Sequence, residues 1–285
     1  MERPKIVYIM KYFYLIFSYF SFFSFLEAQT QQIDYSIFYN FTYITDLTQK
    51  TFSQPEEYIL FKYKNTSRFL NSNAHHNDSL HNVVVYDQLG DKANTQEGLN
   101  FFMDVWSKQK KKYVTDLRVL KNFKKKAAII TLYACLESKY MEVPMKLNWE
   151  LSNETKIIAG LKCYKATTNY GGRTYLAWYS SSIPISDGPY IFNGLPGLIV
   201  KIVDSNSWYS FEIKSINLKP NKRYVDPDFL NEKTLQKLNR EEYVAQSTAE
   251  KDNPKRSFGL PDPDGTGLAR KKKRRKSRFD LVLEQ

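Results

Sequence analysis

The histidines, which are the side chains best suited to metal or acid–base chemistry, all lie in one short segment of this chain. His75, His76 and His81 fall within residues 71–81, together with Asp78. Three imidazoles and a carboxylate this close together could bind zinc or copper. The segment is rich in Asn and Ser, however, and no periodic element flanks it to preorganise ligands. We therefore expect a surface loop that holds neither a metal nor another cofactor.

Cys135 and Cys163 are the only cysteines. A catalytic thiol would need a nearby base, and the last histidine, His81, lies 54 positions before Cys135 in the sequence. An even number of cysteines favours a disulfide in an oxidising compartment. Because both cysteines follow strand-like segments, the sequence predicts a bridge between neighbouring strands, which would stabilise the fold by roughly 3 kcal/mol. Two buried thiols are the alternative.

Asp187 and Asp204 are the carboxylates that a glycosidase could use. Both lie in turn-forming sequences, which account for them without catalysis. The chain has no nucleophile elbow, metal-binding histidine pair or Ser/His/Asp arrangement. We therefore identify no catalytic residues.

The stretch from Ile183 to Asp204 places two proline turns and a Gly-Leu-Pro-Gly cluster directly before a strand. Proline at position 196 and glycine at position 197 are typical of a type II turn, in which the glycine takes a positive φ. The cluster Gly194, Leu195, Pro196 and Gly197 is therefore interpreted as a structural motif. The apolar run 198–203, the turn 204–207 and the alternating segment 208–216 predict a hairpin after it.

Several large side chains gather around this motif in the sequence. An aromatic-rich surface of this kind could contact an apolar ligand, a glycan or a partner protein, whereas aromatic rings also fill protein cores. The candidate ligand or partner residues are Arg173, Trp178, Tyr179, Tyr190 and Phe192.

The N-terminus has the pattern of a signal peptide, with Met1 or Met10 as the start. Lys11 precedes an uncharged apolar run, residues 12–26, and Ala28 closes the segment. As a helix the run would reach only about 22 Å, less than the roughly 30 Å of a bilayer core. We therefore expect cleavage near Ala28, export to the periplasm or outer envelope, and no transmembrane segment afterwards. The segment has no cysteine, so a lipoprotein is excluded.

The C-terminus holds most of the charge. Arg270–Arg278 carries eight positive groups, which leaves +4 of the formal net charge of +12 for the rest of the chain. The high isoelectric point therefore belongs to a tail and not to a basic binding face. An exported chain does not meet nucleic acid, so we expect a solvated tail or adhesion to anionic lipid.

Short alternating segments rich in aromatic and β-branched residues favour strands along most of the chain. Residues 33–43 are one example, with Ile37, Tyr39 and Phe41 on the same face. The fold class is therefore mainly β, an antiparallel open-barrel or bowl-like sheet with a short C-terminal helical region. Asn239 and Glu242 form a capping pattern at the start of that helix. The predicted division is a signal peptide at 1–28, a β domain at 29–218, a helical appendage at 219–253, and a linker with a basic tail at 254–285.

Residues 163–216 resemble the GLPGLI family, exported proteins of Gram-negative bacteria named for a hexapeptide that here is Gly194–Ile199. The matching motifs are Cys163-Tyr-Lys-Ala166, Gly172-Arg173, Ala177-Trp-Tyr179, Ile183-Pro-Ile185, Gly188-Pro-Tyr190 and the hexapeptide itself. The resemblance implies export but no reaction, because members are largely uncharacterised. Looser similarities are to half-open β folds that shelter envelope lipids and to bowl-shaped N-terminal domains of some peptide-N-glycosidases.

Two functions follow from these features. The first is a non-catalytic binding or scaffolding module of the cell envelope, whose ligand is apolar, a glycan or an outer-membrane protein. The alternative is a glycan-processing hydrolase or an accessory domain of one. Envelope lipid and glycan are the expected partners, and nucleic acid is not expected.

Overall fold

The computed structural model of the protein describes residues 30–46, 49–134, 137–217, 223–225 and 236–242. These residues are mostly in strands, as the sequence predicts. The strands are β1 (Thr30–Gln32), β2 (Tyr35–Asp46), β3 (Thr51–Phe52), β4 (Glu56–Lys62), β5 (Thr66–Asn71), β6 (Arg118–Asn122), β7 (Ala127–Ala134), β8 (Glu137–Pro144), β9 (Glu150–Ile158), β10 (Leu161–Tyr170), β11 (Arg173–Ser180), β12 (Leu198–Asp204), β13 (Tyr209–Asn217), β14 (Arg223–Val225) and β15 (Gln236–Lys237).

One large antiparallel sheet dominates the fold. Its strand order is β15-β8-β7-β6-β5-β4-β2-β13-β12-β11-β10-β9, with β3 paired to β2 and only β15 parallel to its neighbour. The sheet is not closed into a barrel. Strands β8 and β9 lie near opposite ends of this order, yet only residues 145–149 join them. The sheet must therefore curl until its two ends approach each other, and the predicted bowl-like antiparallel sheet is confirmed.

The main core lies on one face of the sheet. On β2, Ile37, Tyr39 and Phe41 are buried on the same side, as their alternation predicts. The predicted hairpin after the Gly-Leu-Pro-Gly cluster is also confirmed, as β12 and β13. Because side chains of a strand point to alternate faces, the two-residue period of these segments is enough to place them.

A smaller core lies on the other face, beneath a helix. Ile59, Phe61 and Leu70 from β4 and β5 form it, and the His75 ring of the helix contacts Phe61 at 5.1 Å between ring centroids. The helical elements are α1 (Ser72–Asn82), a π-helical segment (Val83–Leu89), a 3-10 turn (Gly90–Asn94) and α2 (Gln96–Gln109).

The prediction of a loop at residues 71–81 is wrong, because α1 begins there. The Asn71 side chain caps the helix and accepts hydrogen bonds from the backbone of Asn73 and Ala74. The Asn and Ser residues that favour a loop also favour a helix N-cap. In contrast, the predicted C-terminal cap is confirmed, since Asn239 and Glu242 exchange backbone-to-side-chain hydrogen bonds of 2.9 Å. The remaining residues of the predicted helical region and the basic tail lie outside the described residues.

The predicted disulfide is not formed in this structure. Cys163 is a buried free thiol whose Sγ lies 3.4 Å from the Leu161 carbonyl oxygen, and burial raises its pKa. Cys135 lies outside the described residues. The segment before it, β7, is not a neighbour of β10, because seven strands separate the two in the sheet order.

Candidate functional site

The loop between β11 and β12, residues 181–197, lies inside the curled sheet, and we call it the motif loop. Its Ile185, Ile191 and Leu195 belong to the main core. Lys121 on β6 reaches across to donate to the Gly188 carbonyl at 2.6 Å. Five strands separate β6 from β11 in the sheet order. The motif loop therefore packs on the concave face and occupies it.

The turn at the Gly-Leu-Pro-Gly cluster differs in detail from a type II turn. The Gly197 backbone N–H donates to the Leu195 carbonyl at 2.8 Å, which closes a tighter turn around Pro196. Leu198 instead donates to the Ile183 carbonyl, so it is not available for the usual turn bond. The predicted positive φ at Gly197 is confirmed at 154°. A Cβ there would lie 2.2 Å from the Ser180 carbonyl oxygen, so only glycine fits.

A buried ion cluster anchors the motif loop. The Lys121 ammonium contacts an Asp187 carboxylate oxygen, and both side chains are fully buried. Lys62 adds a second cation 3.8 Å from the other oxygen. Burial lowers the pKa of both lysines, and the Asp187 charge opposes that shift. Asp187 is therefore a structural anion held between two cations.

Asp204 is also engaged in structure. It accepts backbone hydrogen bonds from Trp208 and Tyr209 at 2.6 and 2.8 Å and pairs with Arg173 at 3.3 Å. The Arg173 guanidinium also lies over the Trp208 ring, 4.9 Å from its centroid. Arg173, a candidate ligand residue, is thus buried and fixes the turn between β12 and β13.

Trp178 and Tyr179, two further candidates, are buried in β11. Trp178 lies between Lys165 and Lys201 of the neighbouring strands, and Tyr179 packs against Tyr164 with ring centroids 5.9 Å apart. Both side chains contribute to the core. The remaining two candidates, Tyr190 and Phe192, lie in the motif loop with ring centroids 6.0 Å apart.

Five rings gather where the motif loop meets the two ends of the sheet, and we call them the aromatic cluster. Phe192 is at its centre and is buried, as is Tyr175 beside it, whereas the other three rings are partly exposed. Centroid distances to Phe192 run from 4.7 to 6.4 Å. The members are Trp149, Tyr170, Tyr175, Tyr190 and Phe192.

The backbone around the aromatic cluster is fixed in unusual conformations. Tyr190 has a φ of 54°, which an aromatic residue rarely adopts and which costs of order 1–3 kcal/mol. The Trp149 indole donates to the Asn193 carbonyl at 2.8 Å, beside Gly194 with its φ of 92°. Strain of this kind is concentrated at functional sites, where the surrounding structure must hold it.

The polar groups of the cluster are tyrosine hydroxyls and one nearby cation. Burial raises the pKa of Tyr170, while the charge of Arg240 and a hydrogen bond with Tyr190 lower it in part. Arg240 follows β15, which pairs with β8 at one end of the sheet, whereas Tyr170 lies on β10 near the other end. The cluster therefore lies where the ends of the curled sheet come together.

The sequence identifies Tyr190 and Phe192 but not Trp149 and Tyr170. Tyr170 lies 20 positions and Trp149 lies 41 positions before Tyr190, and nothing in their own segments predicts that they meet the motif loop. Trp149 is in the short β8–β9 connection, and Tyr170 precedes a Gly-Gly turn. Only the curl of the sheet brings them to Phe192.

The histidines are used structurally. The His76 Nε2 lies 3.1 Å from the Gln109 carbonyl oxygen, and the His81 ring packs on Phe102. Asp78 forms a 2.8 Å ion pair with Arg118. Among the described residues no group of three or more His, Cys, Asp or Glu side chains is placed to hold a metal ion.

One protein-family model matches a short segment of this chain. Residues 171–201 match the model of a family described as a protein of unknown function (Porph_ging). This segment covers β11, the motif loop and the start of β12, and it contains the hexapeptide on which the GLPGLI resemblance rests. The comparison with curated proteins found no match.

Two solved structures of PNGF-II are similar to this chain. The structure in space group P21 has a TM-score of 0.48 and 17% identity, over 75% of this chain and 33% of that chain. The structure in space group C2 has a TM-score of 0.47 and 18% identity, over 74% and 32%. This chain thus spans about a third of the length of those proteins.

Proposed function

We propose that the protein is an exported, non-catalytic binding module that holds a glycan against the aromatic cluster. The observation that carries this proposal is the grouping of three partly exposed rings, Trp149, Tyr170 and Tyr190, around a buried Phe192. Aromatic rings offer an apolar face to the C–H groups of a sugar, and tyrosine hydroxyls offer hydrogen bonds at the ring edge. Arg240 adds a cation for an acidic sugar or a phosphate substituent.

A glycan at the aromatic cluster is favoured over a lipid inside the bowl. An apolar ligand would need the concave face of the sheet, and the motif loop with Ile185, Ile191 and Leu195 packs there. Removing such a loop would expose its core residues, at roughly 1.5–3 kcal/mol for each large apolar side chain. The aromatic cluster, in contrast, has rings that are already partly exposed.

A non-catalytic role is favoured over glycan hydrolysis. A glycosidase needs two free carboxyl groups flanking the scissile bond. Asp187 is enclosed by Lys121 and Lys62, and Asp204 by Arg173 and backbone N–H groups. Each of these carboxylates would have to lose a buried cation before it could act as an acid or a nucleophile.

The binding proposal is tested on a glycan array of N-glycans, peptidoglycan fragments and bacterial polysaccharides, followed by calorimetric titration of the best-bound glycan. Tyr190→Gly is the most informative variant, because glycine accepts the positive φ and removes only the ring. We expect it to bind about tenfold more weakly or worse, with only a small loss of thermal stability, because relief of the strained φ offsets part of the lost contact with Phe192. Trp149→Ala should weaken binding by a similar factor.

Tyr164→Ala is the matched control, since Tyr164 is also a partly exposed tyrosine but packs on Tyr179 outside the aromatic cluster. Equal loss of binding in Tyr164→Ala and Tyr190→Gly would contradict a site at the cluster. Release of sugar products from the array glycans by the purified protein would overturn the non-catalytic role. A bound lipid in native mass spectrometry, with no glycan binding, would overturn the choice of ligand.

Export is the second part of the proposal, and residues 12–26 with Lys11 support it. In the part of the chain that the structure describes, no helix is long and apolar enough to cross a bilayer. Cell fractionation combined with N-terminal sequencing tests this point. We expect the chain in the periplasmic or outer-envelope fraction with a new N-terminus near residue 29, and a cytoplasmic chain that keeps residues 12–26 would contradict it.

A further inference from the structure

Helix α2 exposes apolar side chains beside a run of lysines, far along the chain from the motif loop. The exposed fractions of Leu99, Phe101 and Met103 are 50%, 44% and 46%. The chain then continues into Lys110, Lys111 and Lys112, which are all exposed. Leu99 and Met103 are four positions apart and share one side of α2, whereas Phe101 points to nearly the opposite side. We call the following residues the lysine-flanked helix surface: Leu99, Met103, Lys110, Lys111 and Lys112.

The helix is held in a fixed orientation, so these apolar side chains cannot simply turn inwards. The Thr95 side chain caps α2 by accepting from the Gly98 backbone N–H at 3.0 Å. Gly98 is buried against the preceding turn, where a Cβ would lie 2.1 Å from the Lys92 carbonyl oxygen. Next to Leu99 and Met103 on the same side of the helix, the Phe102 and Trp106 rings stack with centroids 5.5 Å apart. These contacts fix α2 while Leu99 and Met103 stay about half exposed.

The lysine run is also held in place, by the polar side chains of α1. Asn77 donates to the Lys111 carbonyl at 2.9 Å and accepts from the Lys111 N–H at 2.8 Å. Asn73 donates to the Lys112 carbonyl at 2.8 Å. These bonds fix the backbone and leave the three ammonium groups directed to solvent, next to the C-terminal end of α2.

We propose that the lysine-flanked helix surface docks onto a bilayer that contains anionic phospholipids. Charge complementarity selects this occupant, because a lipid surface offers phosphates at the level of the lysines and acyl chains just beneath them. A helix with exposed apolar side chains and adjacent lysines lies in the interface plane with its apolar residues inserted at the headgroup boundary. Each lysine near such a surface adds about tenfold or less to the partition coefficient. This proposal does not rest on the aromatic cluster or on its ligand.

The test is co-sedimentation of the purified protein, without the predicted signal peptide, with vesicles of phosphatidylcholine alone and of phosphatidylcholine with phosphatidylglycerol. We expect binding to the anionic vesicles only. Lys110→Gln/Lys111→Gln should weaken it about tenfold or more. The matched control is Lys124→Gln/Lys125→Gln, which makes the same change of charge at exposed lysines in the β6–β7 turn. The control variant should bind within about twofold of the parent protein.

A second variant separates the helix from the basic tail. Leu99→Ser/Met103→Ser changes no charge, so any contribution of Arg270–Arg278 stays constant, and binding should still fall about tenfold. Both residues are about half exposed, so thermal unfolding should be little changed. Equal binding of all variants, or no binding to anionic vesicles, would overturn the proposal. Concentration-dependent self-association that Leu99→Ser/Met103→Ser abolishes would assign the surface to a second copy of the chain and would also overturn it.

Discussion

A buried contact between Lys121 and Asp187 holds the motif loop against the sheet. Both side chains are fully buried, and the pair joins β6 to the motif loop across the inside of the sheet. A buried ion pair often contributes little net stability, because desolvation of two charges offsets their attraction. Its effect is instead to select one position of the loop, since any other position would leave a charge unpaired in the core.

Lys121→Met should therefore be strongly destabilising. The substitution fills a similar volume but leaves Asp187 with only the more distant Lys62, and breaking one side of a buried pair typically costs about 3–5 kcal/mol. The free energy of unfolding, measured by denaturant titration, checks this value. Lys121→Met/Asp187→Asn removes both charges and should recover a large part of the loss. If the free energy of unfolding of Lys121→Met lies within about 1 kcal/mol of that of the parent protein, the ion pair does not hold the loop.

The motif loop is the element on which the site depends. It carries the core residues Ile191 and Leu195 inwards and presents Tyr190 to the aromatic cluster. The loop can enter the bowl because its backbone comes very close to its neighbours. At Gly188, a Cβ would lie 2.7 Å from the Ile199 side chain, and at Gly197 the nearest atom is a carbonyl oxygen. The glycines of the hexapeptide region are thus explained by close approach and by positive φ.

Gly197→Ala should lower the free energy of unfolding by about 3 kcal/mol, because the new methyl group meets the Ser180 backbone and the φ of 154° is unfavourable for alanine. Gly171→Ala is the control. Its φ of 56° is also positive, but its Cβ would have open space, so we expect a cost of only about 1 kcal/mol. Denaturant titration of both variants measures the difference. Equal costs would mean that backbone conformation, and not close approach, explains the glycine.

Elements with a two-residue period could be predicted from the sequence, and elements without an apolar period could not. The alternation of Ile37, Tyr39 and Phe41 places β2 correctly because its inner face is buried. Helix α1 has no comparable apolar face. It is stabilised by the Asn71 cap and by Asn77, whose bonds to Lys111 span 34 positions in the chain. Such long-range polar contacts leave no local signal in the sequence.

The same reasoning explains which part of the site could be predicted. Tyr190 and Phe192 are near the hexapeptide, so a search around the motif finds them. Trp149 and Tyr170 join them only because the sheet curls, and curl is a property of strand order. The alternation of apolar and polar residues alone does not identify the order of twelve strands along a sheet. Many different pairings of short antiparallel strands satisfy the same alternation.

At the scale of the whole molecule, both cores depend on one curled sheet whose ends are tied together. Residues 145–149 connect β8 to β9, and Thr168 on β10 donates to the Asn148 carbonyl at 2.7 Å. The segment 236–242 adds a second tie, because it pairs with β8 while Arg240 acts on Tyr170. The aromatic cluster lies at this junction, so the positions of its rings depend on how closely the two ends of the sheet approach each other.

The buried tyrosines make the fold sensitive to high pH. Burial raises the pKa of Tyr39, Tyr58 and Tyr175 above the ordinary 10.0, and the charge of Asp187 raises that of Tyr39 further. A raised pKa contributes stability that is present below pH 10 and is lost as the pH rises above it, because only the unfolded chain then ionises. Tyrosinate absorbance should therefore show a group of tyrosines that ionise only when the chain unfolds.

Tyr39→Phe isolates one of these tyrosines, which is necessary because the lowered pKa values of Lys62 and Lys121 change stability in the opposite direction near pH 10.5. At neutral pH the variant loses the 2.8 Å hydrogen bond from the Tyr39 hydroxyl to the Ile199 carbonyl and should be less stable by about 1 kcal/mol. Above pH 10 the difference from the parent protein should shrink, since the unfolded parent chain gains stability by ionising Tyr39 and the variant cannot. Denaturant titrations at neutral and alkaline pH measure both differences. A constant difference across that range, or a full set of tyrosines that titrates near pH 10 while the native circular dichroism persists, would contradict the burial of Tyr39 between the sheet and the motif loop.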